Sequence, residues 1–169
     1  MLTTTAADKI SSRILNRNPI LAILTTISSS GKIKGNLKNF IDIIKTGYNM
    51  GFIVYVLPIE RIQLHKKRVK GFTYDIDSRQ WQEQEMPLPS IIYNRIPYRE
   101  DEKLSYVKAK LALINKEPSI IMFNPYFFNK WQLFRWLRQS SYTKSFLPQT
   151  KRLTHIKDLD EAIERFQFL

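Results

Sequence analysis

Between Pro19 and Leu57 the chain spells a strand, a helix and a strand within about 40 residues. Ile20-Leu21-Ala22-Ile23-Leu24 is apolar along its whole length and ends in Thr25-Thr26, which predicts a central strand buried on both faces. A loop rich in Ser and Gly follows (Ser28, Ser29, Ser30, Gly31, Gly35), and Asn36 is suited to cap a helix. In that helix Leu37, Phe40, Ile41, Ile44 and Tyr48 recur at helical spacing until Gly51. Phe52 to Leu57 forms the second strand, and Pro58 ends it. Two such strands joined by a helix lie parallel with a right-handed crossover, so an α/β sheet is the frame.

The remaining pattern extends that sheet. From Val69 to Gln84 the period changes to two, with Phe72, Tyr74 and Ile76 on one face, a turn at Asp77-Ser78-Arg79 and Trp81 on the returning arm, which predicts a hairpin inserted between the parallel strands. Pro87 and Pro89 then force extended backbone ahead of Ile91, Ile92 and Tyr93, a run that ends in Asn94-Arg95. Glu100-Asp101-Glu102 opens a helix whose buried stripe is Leu104, Val107, Leu111 and Ile114, with Lys103, Lys108 and Lys110 on its wet face. Residues 119–123 form a fourth apolar strand, after which Asn124-Pro125 reads as the cap and first position of another helix. That helix carries Phe127, Phe128, Trp131, Leu133, Phe134, Trp136 and Leu137, enough apolar bulk to require burial on more than one side. Lys151 to Leu153 can add a strand, and Thr154 can cap a last helix with Ile156, Leu159, Ile163 and Phe166 on one side. Residues 1–17 read as a tail or a short helix without function.

Composition narrows the classes of function. The 169 residues, 43% hydrophobic and 12% aromatic, suffice for one packed domain with part of a second. With no cysteine, disulfides and thiolate metal sites are excluded; the longest apolar run is far too short for a membrane helix, and no signal peptide is recognisable. A soluble, cytoplasmic protein is expected. The 27 Lys and Arg against 15 Asp and Glu leave a net charge of +12, densest at His65-Lys66-Lys67-Arg68-Val69-Lys70, with a looser group at Lys32, Lys34 and Lys38. Such a balance admits a nucleic-acid-binding module, although no RNP-type aromatic motif, helix-turn-helix spacing or zinc-ligand set accompanies it. A phosphate loop after the first strand is disfavoured, because neither GxGxxG nor GxxxxGK[ST] is present.

Ligands of open α/β sheets gather outside the C-terminal tips of the strands. The candidate substrate-binding residues are therefore Thr25, Asn94, Arg95 and Asn124 at predicted tips, with Lys130 at the start of the following helix. Arg95 can grip a carboxylate bidentately and Lys130 offers a mobile charge; Asn94 and Asn124 would orient a ligand, and Thr25 would line the floor. The competing reading is local: Asn94 and Asn124 as caps, Arg95 paired with a helix carboxylate, and Lys130 lying along an aromatic layer.

Several ordered pieces resemble the YheC/YheD group of ATP-grasp proteins, known as endospore coat-associated: Pro19 to Thr25, Trp81 before Pro87-Leu88-Pro89, and Ile92-Tyr93-Asn94-Arg95-Ile96. Phe123-Asn124, Lys130-Trp131 and Leu147-Pro148-Gln149-Thr150 continue the series, and the resemblance runs over residues 18 to 165. It implies a Rossmann-like pre-ATP-grasp domain over 18–145, and the start of a truncated ATP-grasp module over 146–169. The implied function is the substrate-side half of a carboxylate–amine ligase-like protein, inactive alone, with ATP and Mg²⁺ belonging only to a full-length relative and no catalytic, cofactor-binding or metal-binding residue in this chain. The implied partners are an anionic or amide-bearing small molecule or peptide. A structural coat-interaction protein that self-associates, or associates with the spore coat, is the further alternative.

Overall fold

A computed structural model describes residues 19–166, which fall into two compact units dividing between Phe127 and Phe128. The 1–17 segment and the apolar end at Phe168-Leu169 lie outside the described residues.

In the first unit, strands β1 (Ile20–Thr25), β2 (Ile53–Pro58), β3 (Arg68–Asp75), β4 (Gln80–Pro87), β5 (Ile91–Asn94) and β6 (Ile121–Phe123) form one sheet in the order β4-β3-β2-β1-β5-β6. β1 pairs in parallel with β2 and β5, and β5 with β6, as the apolar runs predict. The hairpin is inserted in sequence but lies in space at the sheet margin, where β3 runs antiparallel to β2 and β4 pairs only with β3. Tyr74 and Trp81 face each other across it, edge to face at 5.3 Å. The architecture is thus α/β with a mixed sheet.

Each face of the sheet has its own core. Helix α1 (Leu37–Asn49) covers one face, burying Phe40 and Ile44 with Ile23, Val54 and Val56. Asn36 caps α1 through an Asn39 N–H bond of 3.1 Å, and Gly51 (φ 78°) ends it, both as expected. Gly47 is where the helix meets β2, since a Cβ there would lie 2.2 Å from a Val54 methyl. Tyr48, predicted to be buried, is 72% exposed, because the glycine takes the position nearest the sheet.

The other face is covered by α3 (Ser105–Lys116), whose Val107, Leu111 and Ile114 pack with Ala22, Leu24, Tyr55, Leu57 and Ile92. The predicted acidic helix start is a separate short helix, α2 (Arg99–Lys103), and extended backbone at Leu104 leaves that side chain exposed. Lys110 also departs from its predicted wet face. Its ammonium donates to the carbonyls of Ile59 (2.9 Å) and Glu60 (2.7 Å) in the turn after β2, and burial lowers its pKa while Glu60 opposes the shift.

The second unit has helix α4 (Lys130–Gln139), a turn at Lys144–Phe146 and helix α5 (Lys157–Phe166). α4 begins five residues after the expected Pro125 because Asn129, rather than Asn124, supplies the cap: its Oδ1 accepts from the N–H groups of Trp131 and Gln132. Phe127 and Phe128 thus precede the helix. The multi-sided burial predicted for this segment is absent, since no described side chain of the unit is buried. Residues 151–153 form no strand. In place of the predicted cap, Thr154 lies three residues before α5, and its N–H and hydroxyl both donate to Asp158.

Candidate functional site at the C-terminal edge of the sheet

Strand order reverses about β1: α1 carries the chain from β1 to β2 over one face, and α3 carries it from β5 to β6 over the other. The crevice outside the ends of β1 and β5 is therefore the switch point at which such sheets receive ligands. Thr25, Asn94 and Arg95 stand at that point.

Alternation along the strands divides them. Leu24 pairs with Asn94 in the β1–β5 register, and Leu24 belongs to the core beneath α3. Asn94 consequently points to the α3 side, while Thr25 and Arg95, one residue further on, point to the α1 side. Thr25, Asn94 and Arg95 therefore do not share one surface.

On the α3 side the polar groups satisfy one another. Asn94 is 7% exposed; its Nδ2 donates to Glu102 (2.9 Å) and its Oδ1 accepts from the Ile96 N–H (3.1 Å). The second Glu102 oxygen accepts from the Phe127 N–H at 2.9 Å, joining the tip of β5 to the segment after β6. Asp101 accepts from the buried Thr26 hydroxyl (3.1 Å) and forms an ion pair with Lys34 (3.2 Å). In the sequence Glu102, Asp101 and Thr26 show only as helix-start charge and strand end. Their roles need α2 brought against the strand tips, a contact with no local sequence signal.

The α1 side differs. Thr25 is fully buried and its hydroxyl donates to the Lys34 carbonyl (2.7 Å), so it fixes the β1–α1 loop. Arg95 is half-buried. Its backbone N–H continues the β1 pairing to Leu24 O (2.8 Å), while the guanidinium lies 5.5 Å from the centre of the Tyr93 ring. Nη2 donates to Asn39 Oδ1 (3.3 Å) and Nη1 approaches the Tyr93 hydroxyl (3.5 Å). Both acceptors are neutral. The expected carboxylate partner is absent among the described residues, and two of the five guanidinium N–H donors are engaged. Asn39 and Tyr93 are the residues sequence reasoning missed. Asn39 lies 56 positions from Arg95, and Tyr93 reads simply as strand apolar bulk.

Asn124 follows β6 with a left-handed backbone (φ 54°), which asparagine tolerates, and its side chain is exposed. Lys130 belongs to the second unit, where it is the exposed first residue of α4. The basic run from His65 to Lys70 leads into β3 at this same edge of the sheet, but Arg68 pairs with Glu85 at 3.7 Å and Lys70 lies opposite Glu85 on β4. Part of its charge is offset locally.

A family description, YheC/D-like ATP-grasp, matches residues 119–169. The endospore coat-associated protein YheD of Bacillus subtilis (strain 168) is 27% identical over 147 residues, covering 85% of this chain and 32% of YheD. The chain is thus similar to YheC/D-like ATP-grasp proteins over part of its length. YheC of the same organism, also named an endospore coat-associated protein, is 26% identical over 98 residues, 58% of this chain and 27% of YheC. The chain therefore spans about a third or less of the length of these relatives.

Likeness to ATP-grasp proteins would imply ATP and a divalent cation. Among the described residues no group of three or more Asp, Glu, His or Cys gathers to hold a metal ion, so these residues do not fit the cation. No described helix is long and apolar enough to cross a membrane.

Proposed function

We propose that this part of the YheC/D-like ATP-grasp architecture recognises the acid substrate of a carboxylate–amine ligase-like reaction, with Arg95 as the carboxylate-binding residue. The observation that carries the reading is a half-buried guanidinium at the switch point that, among the described residues, is held by neutral acceptors. An arginine paired with Asp or Glu is already neutralised; one positioned by an amide oxygen and a ring keeps its charge and most of its donors for an incoming anion. Asn39 and Tyr93 fix the plane of the fork, which lowers the entropy lost when a carboxylate docks. ATP, bound by a full-length relative, would supply the activation that exposes the carboxylate to attack by an amine. By analogy with its relatives' names, the chain is proposed to act in association with the spore coat.

The test is an NMR titration of this chain with succinate. Arg95→Ala should weaken binding at least tenfold while leaving the melting temperature within about 1 °C, and Arg95→Lys should recover only part of the affinity. Equal binding by wild type and Arg95→Ala would refute the assignment. A large fall in melting temperature would instead make Arg95 a structural residue.

A further inference from the structure

The α1 face of the sheet is covered unevenly. The core beneath α1 takes in β1, β2 and the hairpin, yet none of Ile91, Tyr93, Ile121 and Phe123 belongs to it or to the core on the opposite face. These four form two cross-strand pairs, Ile91 with Ile121 and Tyr93 with Phe123, on the same face as Arg95. They make an apolar shelf that leads along β5 and β6 directly to the guanidinium. At its outer end Tyr93 and Phe123 stack at 4.5 Å with their planes 13° apart, and β6 is the last strand of the sheet. Phe123 is 42% exposed.

Resting on the carboxylate reading of Arg95, we infer that the acid recognised here carries a flat apolar body, an aromatic or similarly planar group a few bonds from its carboxylate. Charge and shelf are adjacent because Tyr93 and Arg95 are two residues apart on one strand and so project on one side. A carboxylate on the guanidinium therefore places the carbons behind it over Tyr93 and toward the free surface of Phe123, where a planar group gains ring contact as well as burial. A small aliphatic acid would use the arginine and leave the rings unused.

The experiment compares 3-phenylpropionate, butyrate and 3-phenylpropanamide, each titrated into the full chain by NMR. The expected result is that 3-phenylpropionate binds roughly tenfold more tightly than butyrate, a ratio that aromatic contact plus burial supplies. Phe123→Ala should abolish that ratio while leaving butyrate unaffected. Phe123→Leu, which keeps apolar bulk without the ring, should give an intermediate ratio and guards against a folding artefact. Arg95→Ala should weaken both acids. Equal affinity for the two acids, both dependent on Arg95, would overturn the planar-ligand inference and leave the carboxylate assignment standing. Binding of the amide as tight as the acid and indifferent to Arg95→Ala would overturn the carboxylate assignment itself.

Discussion

Helices in both units carry apolar stripes and use them differently. In the first, Phe40 and Ile44 of α1 recur at helical spacing and are buried, because Ile23, Val54 and Val56 lie opposite them. In the second, α4 carries Trp131, Leu133, Phe134, Trp136 and Leu137, and none of them is buried. Trp131 and Phe134 stack at 5.5 Å, and Phe128 meets Trp136 edge-on at 6.3 Å, so the aromatic groups satisfy each other locally without making a core. An amphipathic stripe says which side of a helix wants cover. Whether cover exists depends on a surface supplied by another element.

The contrast is broken most directly in the first unit. Phe40→Ala removes a fully buried ring from the core beneath α1 and should cost about 3–5 kcal/mol in urea denaturation. A loss below about 1 kcal/mol would mean that this face is not a packed core. Glu102→Ala tests the polar side of the same unit. It leaves the Asn94 amide and the Phe127 N–H without their acceptor and should cost about 1–2 kcal/mol. It should also speed amide exchange at Phe127, and unchanged exchange there would remove Glu102 as the tie between the two strand ends.

In the second unit, Trp136→Ala should lower global stability by less than about 1 kcal/mol, since the ring is 42% exposed and loses chiefly its contact with Phe128. A cost matching that of Phe40→Ala would erase the distinction between the units. The smallest effect concerns pH. Hydrogen bonds from the Thr154 and His155 N–H groups and the Thr154 hydroxyl hold the Asp158 carboxyl down at about 2, below its ordinary 3.8. Because the folded value is the lower one, the contribution to the start of α5 is complete above about pH 4 and is lost as pH falls through about 2. Circular dichroism of wild type and Asp158→Asn should differ at pH 6 and converge near pH 1.5. A difference that persists in acid would detach the effect from the carboxylate.

Legibility followed the range of the interactions. Asn36 as a cap and Gly51 as a stop were readable because capping is settled within one helical turn. The start of α4 was misplaced because both Asn124 and Asn129 suit a cap, and only the backbone path selects between them: Asn124 adopts a left-handed conformation, while Asn129 turns its Oδ1 onto the helix. Lys110 looked like a solvated charge, since no local pattern reveals that the carbonyls after β2, 50 and 51 positions away, would converge on its ammonium. Arg95 was legible as a strand-tip cation. Its neutral company was not, because that depends on Asn39 arriving from α1.

By itself the sequence determined the parallel strands, the helix between β1 and β2, the hairpin and the cluster of polar residues at the strand tips. Each follows from periodicity, chain stiffness and capping, which act over a few residues. Only the tertiary structure decided which face each tip residue takes, that Thr25 and Asn94 are occupied internally, and that Arg95 meets neutral acceptors among the described residues. Those outcomes depend on strand register and on groups dozens of residues apart meeting within about 3 Å, where a hydrogen bond either forms or does not.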